Sequence, residues 1–122
     1  MTYCLVVGEE DNYRDIASLM GKGMGCDVEV VSDFIQAAKL FRERVPDVVV
    51  VNVQHAGKDG MQFLERLRNI PGGKAPHIIL CSNDNTSGVA ERAIQMGANS
   101  YLVKPYYPQE LMDKLLESKK IS

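Results

Sequence analysis

Short apolar runs rich in β-branched residues alternate along this sequence with longer segments whose apolar residues recur at helical spacing. Residues 48–53 form one such run, which apart from Asn52 consists entirely of valine. A continuous β-branched run is typical of a strand that is buried on both faces of a sheet. Between residues 61 and 70 the apolar positions recur at the spacing of one helix face. The alternation therefore predicts a layered fold of strands and helices.

Each of five predicted strands is followed by a predicted helix. The strands cover residues 3–7, 28–31, 48–53, 78–81 and 101–103. Such an alternation builds βαβ units, whose strands run parallel with helices on both faces of the sheet. Right-handed crossovers leave few arrangements, of which the flavodoxin-like order 2-1-3-4-5 is the natural choice. We therefore expect an α/β fold with a doubly wound five-stranded parallel sheet, built as a single domain over residues 1–122.

The charge balance of the chain argues against several classes of partner. Its formal net charge is −2 at pH 7, whereas a nucleic-acid-binding domain needs a basic surface to meet phosphates. No apolar run approaches the length of a bilayer-spanning helix, and no export signal opens the chain. We therefore expect a cytoplasmic domain that binds neither nucleic acid nor a membrane.

Polar residues follow the predicted strands at the points where the strands end. They are Glu9 and Glu10 after the first strand, Asn52 at the end of the third, Ser82 after the fourth and Lys104 after the fifth. Ligands of such folds bind beyond the carboxyl ends of the strands, so we expect these side chains to share one pocket. Adjacent acids would repel a phosphate unless a cation lay between them, and no glycine-rich phosphate-binding motif is present. These features argue against a nucleotide- or flavin-dependent enzyme.

Four segments of the sequence together resemble the receiver domain of bacterial two-component response regulators. They are LVVGEEDNYR, PDVVVVNVQHAGKDG, HIILCSND and GANSYLVKPY, and the resemblance covers essentially the whole chain. In that family, acids after strand 1 and an aspartate that ends strand 3 bind Mg²⁺, and a histidine kinase or a small phosphodonor phosphorylates the aspartate. The resemblance implies that Glu9 is one of the acids and that Ser82 and Lys104 match the contacts to the phosphoryl group. Tyr101 matches the aromatic residue that changes rotamer with the strand-4 hydroxyl.

Three positions depart from the family pattern. Asn52 stands where the family has its phosphoacceptor aspartate, and an amide cannot form an aspartyl phosphate. Gly8 stands in place of the first strand-1 acid, so the remaining Mg²⁺ ligands would be Glu9, the Asn52 oxygen and the carbonyl of Gln54, and any site would be weak. Ala56 replaces a usual proline, which predicts a less rigid loop after strand 3. Two losses at one site indicate natural decay of the chemistry rather than an engineered block.

These departures predict a pseudo-receiver, which is not an enzyme and signals as a protein–protein interaction module without phosphorylation. The expected partners are a histidine kinase or an effector, bound on the face formed by helix 4, strand 5 and helix 5, where Tyr101 and Tyr106 are the candidate contacts. A homodimer would form through the same face. One alternative is a phosphorylatable receiver captured as an Asp-to-Asn variant. Another is a small α/β enzyme or ligand-binding domain that uses the pocket of Glu9, Ser82 and Lys104.

Several polar residues also have simpler interpretations. Glu10 is suited to complement the dipole of the first helix, and Ser32 to cap the second. His55 has no predicted partner and is expected to be solvated. Ser82 is interpreted equally well as a turn residue before the fourth helix.

Overall fold

The computed structural model of the chain describes residues 2–8 and 13–120, without the side chains of Tyr13 and Arg14. The strands in these ranges are β1 (Tyr3–Gly8), β2 (Asp27–Val31), β3 (Val48–Asn52), β4 (His77–Ser82) and β5 (Ser100–Val103). The helices are α1 (Tyr13–Ser18), α2 (Phe34–Glu43), α3 (Lys58–Asn69), α4 (Val89–Met96) and α5 (Pro108–Glu117). Strand and helix alternate as the sequence predicts.

The strands form one sheet in the order β2-β1-β3-β4-β5, and each neighbouring pair is parallel. This order confirms the predicted flavodoxin-like arrangement. β3 lies at the centre, between β1 and β4, and every one of its residues is buried. Its run of valines therefore packs on both faces of the sheet, which explains why it shows no polar alternation.

The sheet separates two apolar clusters. Leu5 and Val7 of β1 face the first cluster, which contains buried residues of α2, α3 and α4. Cys4 and Val6 face the second cluster, which includes Ile16 of α1 and buried residues of α5. Successive strand side chains point to opposite faces, so one short strand serves both layers of helices. None of the helices in the described part of the chain is long and apolar enough to cross a membrane.

The end of α1 is irregular. After Ser18 the helix widens into a π-helical turn over Leu19–Gly23, and the chain then turns toward β2. Gly25 in this turn has a φ of +72°, in the left-handed region that glycine adopts without steric cost. The glycine-rich segment thus ends the helix.

The start of α2 differs from the sequence prediction. The cap of α2 is Asp33 and not Ser32, because the Asp33 side chain accepts a hydrogen bond of 2.7 Å from the backbone N–H of Gln36. The prediction for Ser32 is therefore wrong by one residue. Pro108 occupies the first turn of α5, where its missing N–H costs nothing. Glu10, the residue predicted to support α1, lies outside the described residues.

Candidate functional site

The ends of β1 and β3 bring together two residues that carry no charge. Gly8 and Asn52 are direct register partners across this parallel pair. Asn52 is fully buried, with none of its surface exposed. The sheet therefore places a glycine and a neutral amide side by side at the switch point where a ligand of such a fold would bind.

At the end of β4, the hydroxyl of Ser82 belongs to a closed ring of hydrogen bonds. Ser82 is fully buried, and its Oγ lies 2.7 Å from the Oη of Tyr101. The Tyr101 hydroxyl donates to the backbone carbonyl of Asp84 at 2.5 Å, while the Asp84 N–H donates to Ser82 Oγ at 3.0 Å. Because Tyr101 uses its single hydroxyl hydrogen in the bond to the carbonyl, the hydroxyl of Ser82 donates to Tyr101 Oη. Ser82 is therefore more than a turn residue.

Burial favours the neutral form of the Tyr101 phenol. It raises the pKa of Tyr101 above its ordinary value, in keeping with a hydroxyl that donates a hydrogen bond. The Tyr101 ring packs against the cluster formed with α2, α3 and α4, and the residue is half-buried. The tyrosine is thus held toward the strand ends and not released to solvent.

The carboxylate of Asp84 reaches across to the loop that follows β3. Its Oδ1 lies 3.0 Å from Nδ1 of His55, and its Oδ2 accepts a hydrogen bond of 2.9 Å from the backbone N–H of Ala56. These two contacts, His55 first, hold the pKa of Asp84 below its ordinary value. The His55 side chain is 68% exposed, as expected, but the prediction that it lacks a partner is wrong.

Ala56 and Asp84 were not among the predicted site residues. The sequence predicts that Ala56 loosens the loop after β3, whereas the structure shows its N–H bound to Asp84. Proline has no N–H to donate, so the departure from the family pattern is what makes this contact available. That departure is the signal in the sequence that could have led to Asp84.

Lys104 lies where the sequence predicts, at the carboxyl end of β5. Its backbone N–H donates to the carbonyl of Ser82 at 2.7 Å. The residue is only 7% exposed, so most of its side chain is enclosed by the protein. Lys104 and Ser82 therefore lie on neighbouring strands at the same end of the sheet, and their sharing of one pocket stays a prediction.

The described donors do not fit a magnesium site well. Gly8 offers no side chain and Asn52 offers a neutral amide, although Mg²⁺ in proteins is usually held through carboxylates. The carbonyl of Gln54, another predicted ligand, accepts a hydrogen bond of 3.0 Å from the N–H of Asn83. Glu9, the remaining predicted ligand, lies outside the described residues, as does Glu10 of the predicted acidic pocket, so the predicted ligand set stays a prediction. Among residues 2–8 and 13–120, no three His, Cys, Asp or Glu side chains are grouped as metal ligands.

Tyr106 lies apart from Tyr101. It packs against the cluster formed with α1 and α5, and its hydroxyl contacts the thiol of Cys81. Burial raises its pKa well above the ordinary tyrosine value. Tyr106 also lines a cleft of about 530 Å³ that α1 and the start of α5 border. The neighbouring Tyr107 is 78% exposed instead.

Comparison with known proteins agrees with this geometry. The family model of the response regulator receiver domain matches residues 4–116 of this chain. The DNA-binding response regulator MtrA of Mycobacterium tuberculosis (strain H37Rv) is 29% identical over 111 residues, which are 91% of this chain and 47% of that protein. The chain thus spans about half the length of the curated relatives it matches.

Solved structures of other proteins share the fold. The receiver domain of the sensor histidine kinase PA1611 of Pseudomonas aeruginosa, described with a magnesium ion in its active site cleft, has a TM-score of 0.79 and 25% identity, and the match covers 95% of each chain. The chemotaxis response regulator CheY4 of Vibrio cholerae has a TM-score of 0.83 and 23% identity, over 97% of this chain and 98% of that one. The family model, the relatives and the sheet order agree with the resemblance found in the sequence. This chain belongs to the response regulator receiver domain family of two-component signalling.

Proposed function

We propose that this domain acts in two-component signalling as a protein–protein interaction module that works without phosphorylation and is not an enzyme. The observation that carries the proposal is the place of Asn52, buried at the end of β3 beside Gly8. This is the position of the phosphoacceptor aspartate in the family that the chain belongs to. Partners would be a histidine kinase, an effector or a second copy of the chain.

The chemistry of phosphoryl transfer supports the proposal. An aspartyl phosphate forms when a carboxylate oxygen attacks phosphorus, and the amide of Asn52 has no such nucleophile. Mg²⁺ would also neutralise the charge that builds up on the transferred group. With glycine at position 8, one carboxylate that would hold this ion is missing as well. Ser82 and Lys104 then remain as contacts for a phosphoryl group, but no residue of β3 can accept that group.

Exposed apolar residues support a partner surface on the side of the molecule that carries α4, β5 and α5. Large apolar side chains are exposed here at Ile94 (47%), Tyr107 (78%) and Leu116 (46%). Aromatic residues are enriched in protein interfaces, since they bury much area and still offer a polar group. We assign Tyr107 to this surface because it is more exposed than Tyr106, while Tyr101 lies on β5 between the two helices.

The alternative of a small-molecule pocket has one observation in its favour. The cleft beside Tyr106 has a volume of about 530 Å³, within the range of ligand sites, and Lys104 lines it. Of the residues that this alternative invokes, however, Ser82 is not part of the lining. The interaction module therefore stays the better supported function.

Restoring the missing carboxylates tests the proposal. The chain with both Gly8→Asp and Asn52→Asp is expected to gain a phosphoryl-sized mass from acetyl phosphate in the presence of Mg²⁺, measured by intact-mass spectrometry. Asn52→Asp alone should gain less, because one strand-1 carboxylate is still absent. Gly8→Asp alone should gain nothing.

Asn83→Asp is the matched control, because it adds a carboxylate at an exposed residue next to the site without changing β3. It should leave the mass unchanged, and a chelator should abolish the gain in the double variant. A phosphoryl adduct on the Gly8→Asp chain, which keeps Asn52, would overturn the proposal.

A further inference from the structure

Asp84 connects three parts of the site through its own atoms. Its carboxylate binds His55 and Ala56 in the loop after β3, and its backbone N–H and C=O bind Ser82 and Tyr101. The residue lies just after β4, and its side chain is 28% exposed. A single residue thus links the end of β3 to the hydroxyl on β4 and the tyrosine on β5.

We propose that the Asp84 carboxylate is a built-in clamp, which does inside this chain what a phosphoryl group on β3 does in other family members. The resemblance to those proteins implies that the strand-4 hydroxyl contacts the phosphoryl group and that the strand-5 aromatic residue changes rotamer with this hydroxyl. In this chain the Asp84 carboxylate, which follows β4, joins the loop after β3 to the loop after β4. This contact keeps the hydroxyl of Tyr101 hydrogen-bonded to Ser82. The inference rests on the proposed function, because a clamp of this kind gives the domain one arrangement of its partner surface without phosphorylation.

Two backbone contacts place the carboxylate for this role. The N–H of Val53 donates to the carbonyl of Cys81 at 2.9 Å, and the N–H of Asn83 donates to the carbonyl of Gln54 at 3.0 Å. These bonds continue the pairing of β3 with β4 past the strand ends. The two loops therefore leave the sheet in a fixed register, with Asp84 opposite Ala56.

The chemistry of the donors favours a carboxylate here. Hydrogen bonds to an ionised acceptor are shorter and stronger than those between neutral groups. The Ala56 N–H exists only because this position is not proline, so the clamp and the departure from the family pattern occur together. His55 adds a second contact at the other carboxylate oxygen, at 3.0 Å.

Nuclear magnetic resonance of the full chain tests the clamp. Two signals are followed: the hydrogen-exchange rate of the Ala56 amide, and the ring signals of Tyr101 in ¹³C-tyrosine-labelled protein. Asp84→Ala is expected to speed exchange of the Ala56 amide by about tenfold or more, as the loss of a charge-assisted hydrogen bond implies. The Tyr101 ring signals should move in the same variant.

Ala56→Pro is the decisive variant, because it removes the donor and leaves every atom of Asp84 and Tyr101 in place. The Tyr101 ring signals should move in the same direction as in Asp84→Ala. Ala56→Gly, which keeps the N–H, is the matched control and should leave them where they are. His55→Ala changes an exposed loop side chain and should move them by a smaller amount, which keeps the test valid if the proline variant does not fold.

Unchanged Tyr101 signals in folded Ala56→Pro and in His55→Ala would overturn the clamp. This outcome leaves the proposed function standing, since that function rests on Asn52 and Gly8. A phosphoryl adduct on the unmodified chain would instead overturn the proposed function, while the exchange and ring measurements on unphosphorylated protein would still report on Asp84. The two failures are therefore distinguishable.

Discussion

Replacing Phe41 with alanine is expected to lower the free energy of unfolding by about 3–5 kcal/mol, the usual cost of truncating a buried aromatic residue. Phe41 is fully buried on α2, in the cluster that also contains Leu5 and Leu64. Its removal deletes apolar contacts and leaves a cavity that the sheet below cannot fill. Urea unfolding followed by far-ultraviolet circular dichroism measures the loss.

Ile35→Ala is the matched control for this prediction. Ile35 lies on the same helix but is 80% exposed, so its truncation should change the free energy of unfolding by no more than about 0.5 kcal/mol. Equal losses in the two variants would show that α2 does not present Phe41 to the sheet as described.

Arg68→Met is expected to be the next most destabilising of these changes and to lower the free energy of unfolding by about 3 kcal/mol. Each buried acceptor left without a donor costs roughly 1–3 kcal/mol, but some of the acceptors that lose Arg68 become hydrogen-bonded to water again. The Arg68 guanidinium donates to the carbonyls of Gly73 at 2.9 Å, Pro76 at 2.7 Å and Gly97 at 2.8 Å, and to Oδ1 of Asn99 at 2.8 Å. It thereby joins the end of α3 to the turns before β4 and β5. Methionine keeps much of the apolar stem and removes the donors.

Arg66→Met is the control, since Arg66 is exposed on the same helix two positions earlier. It should shift the denaturation midpoint very little, because exposed charges contribute little to stability. If Arg66→Met and Arg68→Met shifted the midpoint equally, the hydrogen bonds donated by Arg68 would stabilise the fold no more than an exposed charge does. A large shift in Arg68→Met alone is the expected result.

The sheet order was predictable because it depends on a pattern that repeats through the chain. The valine run of β3 has no polar alternation, which already indicates a central strand of a parallel sheet. Once the strands are ordered, the meeting of Gly8 with Asn52 and of Ser82 with Lys104 follows from the topology. These relations need no knowledge of loop conformation.

The clamp was not predictable in this way, because it depends on loop geometry and not on periodicity. Asp84 follows β4 in a loop, where no periodic pattern of apolar residues indicates the backbone conformation. Its partners His55 and Ala56 come from another loop, and only the register beyond the strand ends brings them within 3.0 Å. The prediction of the cap of α2 was wrong for a related reason. Ser32 and Asp33 are both good capping residues, and the backbone conformation decides between them.

We propose that this receiver domain takes up no phosphoryl group at Asn52, and the intact mass of the unmodified chain after incubation with Mg²⁺ and acetyl phosphate measures this directly. We expect an unchanged mass at every time point, under conditions in which the chain with both Gly8→Asp and Asn52→Asp is modified. A stable phosphoryl adduct on the unmodified chain would contradict the proposal. Fragmentation would then locate the acceptor.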